Sequence, residues 1–115
     1  MVSYDCIFCK MISGEIISEF IYESELCFAI RDIHPIASTH VLIIPKMHIT
    51  YLEFISRYPH FDFNEMYAVA IEIARKENIL NSGYRLVINQ KEDSGQEIEH
   101  LHLHLIGGNK LKAIG

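Results

Sequence analysis

The stretch that decides the fold is His-Leu-His-Leu-His-Leu-Ile at residues 100–106, in which histidines alternate with leucines. A period of two is the period of a β-strand. The alternation predicts a strand whose leucines face the core, and whose histidines point to the opposite face about 6–7 Å apart. An antiparallel sheet can leave that second face open. The stretch therefore predicts a strand with one core face and one histidine-bearing face.

Outward from this stretch, the sequence predicts four further strands and two helices. The strands are expected at 19–23, 26–31, 40–44 and 84–89, and their short connections favour antiparallel pairing. A short helix is expected at 7–13, ended by Gly14. A long helix is expected at 63–80, with Asp62 as its N-cap, Glu65 as the capping-box partner and Gly83 as the stop. These elements predict an α+β fold built on an antiparallel sheet of about five strands.

The long helix carries a broad apolar stripe. Its members fall on one face at helical spacing and are Phe63, Met66, Tyr67, Ala70, Ile73 and Ala74, with Val69 and Ile71 as flanking residues. So wide a stripe can bury two surfaces, one against the sheet and one against a second copy of the chain, which predicts a homodimer. The alternative is that the flanking residues are scattered surface apolars.

Size and charge restrict the function classes. The 115 residues predict one domain over 1–115, and a net charge of −5 makes a long nucleic acid an unsuitable partner. No apolar run approaches the roughly 20 residues that span a bilayer, so no membrane contact is expected. The N-terminal residues 1–6 lack signal-peptide features, which predicts a cytoplasmic protein with reduced cysteines. Cys27, inside an apolar run, is expected in the core.

Several polar segments flank the histidine run in sequence. His40 begins a predicted strand, Asn89 ends another, and Gly95-Gln96 precede the histidines. Imidazole can act as nucleophile, acid or base near neutral pH. Exposed backbone N–H groups in glycine-containing turns can hold an anion. The pattern predicts phosphate chemistry, while a metal site on the sheet or a solvated polar face stays open as an alternative.

The sequence resembles the histidine-triad (HIT) superfamily, whose motif alternates three histidines with apolar residues and ends in two apolar residues. Residues 100–106 match that motif, and the resemblance covers almost the whole chain. It includes the segments Cys6-Ile7-Phe8-Cys9-Lys10, Arg31–Pro35, Ser38–His48, Gly83–Asn89 and Gly95-Gln96. The branch most similar to the chain is that of the Hint-like purine nucleoside phosphoramidases.

The resemblance implies a HIT-like fold paired across a homodimer, and a catalytic role for four histidines. His102 would attack the α-phosphorus to form a nucleotidyl-histidine intermediate, which water then hydrolyses. His104 would contact the phosphate and assist proton transfer, and His40 would complete the cluster. His100 would orient His102 through its backbone carbonyl, as in the family.

The resemblance also implies a purine nucleotide site. Asp32 and Ile33 would hold the ribose, and the purine would be walled by Phe8, Met11 and Ile16. The phosphate and the leaving group would be held by Asn89, Gly95 and Gln96. Each residue has an alternative: the apolar side chains could be core, Asp32 a turn residue and Asn89 a strand cap. His34 and His60 match no family role and are expected at the surface.

The resemblance implies substrates that are purine nucleoside phosphoramidates or acyl-nucleotides. A dinucleoside polyphosphate hydrolase is the alternative among enzymes, and a nucleotide-binding scaffold or a metal-binding module the alternative outside them. The chain departs from the phosphoramidases at Glu97, where they carry a serine. A carboxylate would repel a phosphate, so Glu97 is expected to point away and the leaving group stays open.

The spacing Cys6-x-x-Cys9 matches half of a zinc site. His48 and His100 are the candidates for the other two ligands, as in some bacterial members of the family. Four protein ligands would make the zinc structural. The alternative is a pair of reduced cysteines in a half-buried segment.

Overall fold

The computed structural model describes residues 5–114. Residues 1–4 and 115 lie outside the described residues. They include the two ends of the predicted domain and most of the N-terminal segment 1–6 that was examined for signal-peptide features. No helix within 5–114 is long and apolar enough to cross a membrane.

Within the described residues, one antiparallel sheet of five strands forms the centre of the molecule, in the order β1-β2-β3-β5-β4. The strands are β1 Tyr22–Glu23, β2 Cys27–Arg31, β3 Thr39–Pro45, β4 Tyr84–Val87 and β5 Leu103–Gly107. The helices are the short α1 Ile7–Ser13 and the long α2 Asn64–Lys76, with 3₁₀ turns at Leu52–Arg57 and Glu92–Ser94. This confirms the predicted α+β fold, its strand number and its two helices.

The sheet packs against apolar side chains on both faces. On one face, Leu101, Leu103 and Leu105 lie in the main core with the buried residues of α2, which confirms the inward direction predicted for the leucines. On the other face, Phe8 and Cys9 of α1 pack with Phe28, Leu42 and Ile44. Helix α1 therefore covers part of this second face.

The last strand begins later than the alternation predicts. β5 starts at Leu103, so His100 and His102 precede it. The Leu101 amide donates to the Ile49 carbonyl at 2.7 Å instead of joining the strand ladder. Residues 100–102 therefore run beside the segment that follows β3. Strand β1 is also shorter than predicted, since only Tyr22 and Glu23 pair with β2. Strand β4 ends at Val87, two residues before Asn89.

Helix α2 is shorter than the predicted 63–80, because it ends in a Schellman motif at Asn78. This residue takes φ +60°, its amide donates to Arg75, and the Ile79 amide donates to Ala74. Ile79 is then buried in the core. Asparagine tolerates the left-handed conformation, so the helix ends before Gly83, which lies immediately before β4.

The predicted N-cap of α2 is confirmed, since Asp62 Oδ1 accepts from the Asn64 amide at 3.0 Å and Phe63 already has helical backbone angles. The predicted capping-box partner is wrong. Glu65 turns away from the helix terminus and accepts from the Leu26 amide and the Ser24 hydroxyl. The stripe differs as well: Val69 is buried in the core, whereas Tyr67 is exposed.

Candidate active site

A cleft of about 570 Å³ lies beside the histidine run. Its walls come from α1, from the end of β2 with the loop that follows, from the segment 89–98 and from the start of β5. This volume falls within the range of small-molecule sites, roughly 300–1,000 Å³. The cleft has an apolar side, formed by α1 and β2, and a polar side that carries His102 and His104.

The ring of His102 is held in one tautomer by its neighbour. Its Nδ1 lies 2.7 Å from the backbone carbonyl oxygen of His100. A carbonyl only accepts, so Nδ1 carries the proton and the lone pair is on Nε2. The edge of the Phe8 ring packs against the imidazole, with centroids 5.3 Å apart. His102 is buried but borders the cleft, which makes its Nε2 a candidate nucleophile.

A chain of hydrogen bonds fixes the tautomers of His40 and His104. The Ile36 amide donates to Nδ1 of His40 at 3.2 Å, so the proton of neutral His40 is on Nε2. That Nε2 lies 2.9 Å from Nδ1 of His104 and donates to it. The proton of His104 is therefore on its own Nε2. This buried N–H has no hydrogen-bond partner among residues 5–114, so it is free to donate to a ligand.

Burial keeps both rings neutral. Burial, together with the nearby His102 and His40, lowers the pKa of His104 to about 4 against an opposing effect of Asp32. Burial also lowers the pKa of His40, against an opposing effect of the Asp32 carboxylate. A neutral His104 can donate one N–H without bringing a net charge into the cleft.

Asp32 lies in the turn after β2 and at the edge of the cleft. Its Oδ1 accepts from the His34 amide at 2.8 Å, as in an Asx turn, and its Oδ2 lies 3.3 Å from His40 Nε2. Asp32, His40 and His104 are also close enough to hold a metal ion. The Ile36 amide opposes this, because it keeps the lone pair of neutral His40 on Nδ1 and the proton on Nε2, the nitrogen that faces the other two.

The loop that contains residues 89–98 limits what its polar side chains can do. The amide oxygen of Gln96 accepts from the Lys91 backbone, and its amide nitrogen donates to the Ile98 carbonyl. Both ends of this side chain are thus used within the loop. Glu97, in contrast, lines the cleft with an exposed side chain. Glu97 follows the turn at Gly95 (φ +87°), and the expectation that its carboxylate points away from the phosphate stays a prediction.

A second cluster combines Cys6, Cys9, His48 and His100, whose ligand atoms all lie within 4.8 Å of one another. Cys6 Sγ lies 3.2 Å from His100 Nδ1, Cys9 Sγ 3.3 Å from His48 Nδ1, and the two Nδ1 atoms 3.1 Å apart. A tetrahedral zinc ion with bonds of ~2.0–2.3 Å has ligand-to-ligand distances of ~3.3–3.8 Å. The donor set and its spacing therefore fit a zinc ion.

The surroundings of this cluster also fit a metal. His100 Nε2 donates to the Pro45 carbonyl at 2.8 Å, which leaves the lone pair on Nδ1, the atom that faces the thiols. Burial lowers the pKa of His100 to about 4 and lowers that of His48, so both rings are neutral ligands. Burial raises the pKa of the Cys6 thiol, against an opposing hydrogen bond from the Cys9 amide. Nearby positive charge from a metal would offset that cost.

Comparisons with known proteins are consistent with this arrangement. A family model described as the HIT domain matches residues 13–111. The chain belongs to the HIT family. It is 42% identical over 107 residues to the purine nucleoside phosphoramidase of Escherichia coli K12, a match that covers 93% of this chain and 90% of that protein. It is 44% identical to an uncharacterized HIT-like protein of Buchnera aphidicola from Baizongia pistaciae, over 94% and 96% of the two chains.

Solved structures of HIT proteins share its fold. A histidine triad protein from Clostridium difficile superimposes with a TM-score of 0.91 at 36% identity, over 100% of both chains. A HIT family hydrolase from Legionella pneumophila Philadelphia 1 gives a TM-score of 0.86 at 38% identity, over 94% of this chain and 96% of that one.

In this HIT protein, most of the site residues predicted from sequence line one cleft. They are Phe8, Met11, Asp32, Ile33, Asn89, Gly95, Gln96, Glu97, His102 and His104. His40 and His100 do not line it and act on it through their hydrogen bonds. Ile16, predicted as a purine wall, does not line the cleft, because the chain has turned away at Gly14 (φ +84°).

Sequence reasoning missed six residues of the cleft. These are Ile7, Ile30, Arg31, His34, Leu42 and Ile98. Leu42 and Ile30 read as ordinary strand residues, and only the pairing of β3 with β5 brings Leu42 opposite His104. His34 was expected at the surface without a role. It is exposed, but it also borders the opening, a position that its closeness to Asp32 in sequence could have suggested.

Proposed function

We propose that this HIT protein is a nucleotide hydrolase or transferase that cleaves the α-phosphate bond of purine nucleoside phosphoramidates or acyl-nucleotides. The observation that supports it best is the pairing of a lone pair on His102 Nε2 with a free N–H on His104 Nε2 at one end of a cleft. One atom can attack phosphorus while the other stabilises charge on a phosphoryl oxygen.

The proposed reaction has two steps. Nε2 of His102 attacks the α-phosphorus, a histidine–phosphorus bond forms, and the bond to the leaving amine or carboxylate breaks. The leaving amine takes up a proton from a solvent water as it departs, whereas a carboxylate leaves as the anion. Water then attacks the same phosphorus, gives up a proton and releases the nucleoside monophosphate with a neutral His102. The His100 carbonyl stabilises the imidazolium character that develops during attack, because it already accepts from Nδ1.

The remaining cleft residues would position the nucleotide. The apolar side formed with Phe8 and Met11 offers a surface for a purine, and Asp32 borders the cleft where a ribose hydroxyl could donate to it. Asn89 and the backbone near Gly95 are the candidates for the phosphate. Gln96 would act mainly by holding the loop, since both ends of its amide are already bonded.

Trapping of the intermediate tests this proposal. Wild type mixed with adenosine 5′-phosphoramidate should gain the mass of an adenylyl group, and peptide mapping should place the adduct on His102. His102→Ala should form none, whereas His60→Ala should behave as wild type because that histidine is exposed and outside the cleft. An adduct that persists in His102→Ala would exclude this nucleophile.

A comparison of the turnover of a diadenosine polyphosphate with that of the phosphoramidate would distinguish the proposed activity from the main alternative, a dinucleoside polyphosphate hydrolase. The Glu97 carboxylate borders the cleft, and it should disfavour a leaving group with several further phosphates. We expect kcat/KM to be higher for the phosphoramidate than for the polyphosphate. Glu97→Gln should reduce this difference in kcat/KM. A clear preference of wild type for the polyphosphate would favour the alternative hydrolase.

We further propose that the cluster of Cys6, Cys9, His48 and His100 binds one structural zinc ion. The ion would supply no open coordination position, so it would join the start of α1 to the segment before β5. Elemental analysis should find one zinc per chain, and chelation should lower the melting temperature reversibly. Full-length protein purified without zinc, with a melting temperature that added zinc leaves unchanged, would contradict it.

We also propose that the chain forms a homodimer. Two features support a second copy as partner: strand β4 is an edge of the sheet, and Tyr67 on α2 leaves 47% of its surface exposed. Apolar surface and an open strand edge are both stabilised when a second chain covers them.

A further inference from the structure

We propose that the Cys6–Cys9–His48–His100 cluster sets the geometry of the nucleophile, so that metal occupancy controls the rate at which His102 attacks. This inference rests on the proposed function. None of the four residues of the cluster lines the cleft, and their influence passes through His100 and α1. His100 is thus a positioning residue.

His100 makes contacts in two directions. Its imidazole contacts Cys6 and His48 through Nδ1 and Pro45 through Nε2, and it is fully buried. Its backbone carbonyl accepts the Nδ1 proton of His102 at 2.7 Å. A shift of the ring therefore moves the group that fixes the tautomer of the nucleophile.

The segment that carries both residues is held weakly by the sheet. β5 begins at Leu103, so residues 100–102 are outside its ladder. Outside the ladder, the segment is held by the bond from the Leu101 amide to Ile49, by the bond from His100 Nε2 to the Pro45 carbonyl and by the burial of Leu101. Contacts of the His100 ring with Cys6 and His48 add a further restraint on the position of the His100 carbonyl.

Helix α1 provides a second connection. Phe8 lies between Cys6 and Cys9 in sequence and is 2% exposed. Its ring meets the rings of both His100 and His102 edge-on, at 5.5 and 5.3 Å between centroids. Ligation of the two cysteines would fix the first turn of α1, and with it the apolar contact against His102.

The cluster is also accessible from solution. A cavity of about 360 Å³ is lined by Cys6 and His48, and its rim carries the carboxylates of Asp5, Glu97 and Glu99. Acidic side chains at such an opening attract cations. Occupancy can therefore respond to the zinc concentration around the folded protein.

The test compares zinc-loaded, chelated and reloaded full-length protein. One measurement is the single-turnover rate of adenylyl transfer to His102 from adenosine 5′-phosphoramidate, and another is the affinity for AMP. A third is the ¹⁵N NMR signature of the His102 ring, which reports its tautomer. We expect removal of zinc to slow transfer by roughly 10–100-fold, the size of effects seen when a group that orients a functional histidine is lost. AMP affinity should change by less than about twofold.

The NMR spectrum should shift from one Nδ1–H tautomer towards a mixture when zinc is removed. His48→Ala should reproduce the chelated state, since it removes a ligand that does not contact His102. His48→Cys keeps four ligands and should restore both the rate and the spectrum. His60→Ala is the matched control and should match wild type.

Two results would overturn the inference. One is an unchanged rate and an unchanged His102 spectrum in the chelated protein. The other is a parallel loss of AMP affinity and rate, which would indicate general loss of the cleft. If zinc-loaded wild type forms no adduct, the proposed function fails instead, while the spectrum still tests the positioning of His102.

Discussion

At the scale of single residues, the three histidines of the run differ in what each nitrogen contacts. His100 donates from Nε2 to Pro45, His102 donates from Nδ1 to His100, and His104 accepts at Nδ1 from His40. Each tautomer is thus set by a different partner. The lone pair on His102 Nε2 and the N–H on His104 Nε2 are available to a ligand in the cleft. The lone pair of His100 is on Nδ1, which faces the thiols.

His104 should make stability depend on pH. Its folded pKa is about 4, below the ordinary value of 6.5, so the unfolded chain binds more protons between these values. The contribution is complete above about pH 6.5 and is lost as the pH falls towards 4. Between about pH 7.5 and pH 5, wild type should lose about 1–2 kcal/mol more than His104→Asn, after allowance for its partial exposure.

Urea unfolding of both proteins at several pH values measures this difference. Chelated protein should be used, so that loss of zinc from the other cluster does not add to the pH dependence. Parallel pH profiles for the two proteins would contradict the assigned pKa.

Cys27 should be unreactive in the folded protein. It is completely buried, and burial with the nearby Glu65 carboxylate raises the pKa of its thiol to about 12. The nucleophilic thiolate is then absent near pH 8. Iodoacetamide followed by peptide mass mapping should leave Cys27 unmodified in native protein and modify it fully in denaturant. Rapid alkylation of Cys27 in the native state would show that this strand opens readily.

At the scale of elements, one carboxylate joins α2 to the turn between β1 and β2. Glu65 accepts from the Leu26 amide at 2.7 Å and from the Ser24 hydroxyl. The same residue was predicted to cap its own helix. Its side chain instead satisfies a turn that is far away in sequence, which helps to fix α2 against β2.

Glu65→Ala should therefore destabilise the fold. It leaves the Leu26 amide without its charged acceptor, a loss of about 1.5–3 kcal/mol. Glu72→Ala is the matched control on the same helix, because Glu72 makes only a long ion pair to Arg75 at the surface. The control should change the free energy of unfolding by less than about 0.5 kcal/mol. Equal effects of the two substitutions in urea unfolding would show that the turn contact contributes little.

At the scale of the whole molecule, the two faces of the sheet have different tasks. One face packs against α2 and forms the main core. The other packs against α1 and carries the cleft and the Cys/His cluster. The site is thus built on a sheet that α2 supports from behind, which keeps the histidines in place with little motion.

The proposed homodimer gives a prediction at this scale. Sedimentation equilibrium should give twice the chain mass of 13.3 kDa at micromolar concentration. Tyr67→Lys should shift the mass towards the monomer, because it places a charge where apolar surface would be covered. A monomeric wild type would contradict the dimer, and a Tyr67→Lys dimer as stable as wild type would exclude α2 from the interface.

The amino-acid sequence was enough to predict the inward leucines and the antiparallel α+β class, because a period of two is a local property of the chain. Most of the cleft residues and the four members of the Cys/His cluster were also predicted, but only through the resemblance to the HIT superfamily. The alternation of histidines and leucines alone left a solvated polar face as an alternative.

Tertiary contacts determine which histidine nitrogens are free, where β5 and α2 begin or end, and which of the predicted residues line the cleft. These features depend on contacts between residues distant in sequence, such as Cys6 with His100, 94 positions apart. Burial and hydrogen-bond partners set each tautomer and pKa, and neither can be read from local periodicity. The three histidines that alternate identically in sequence therefore become three different chemical groups in the fold.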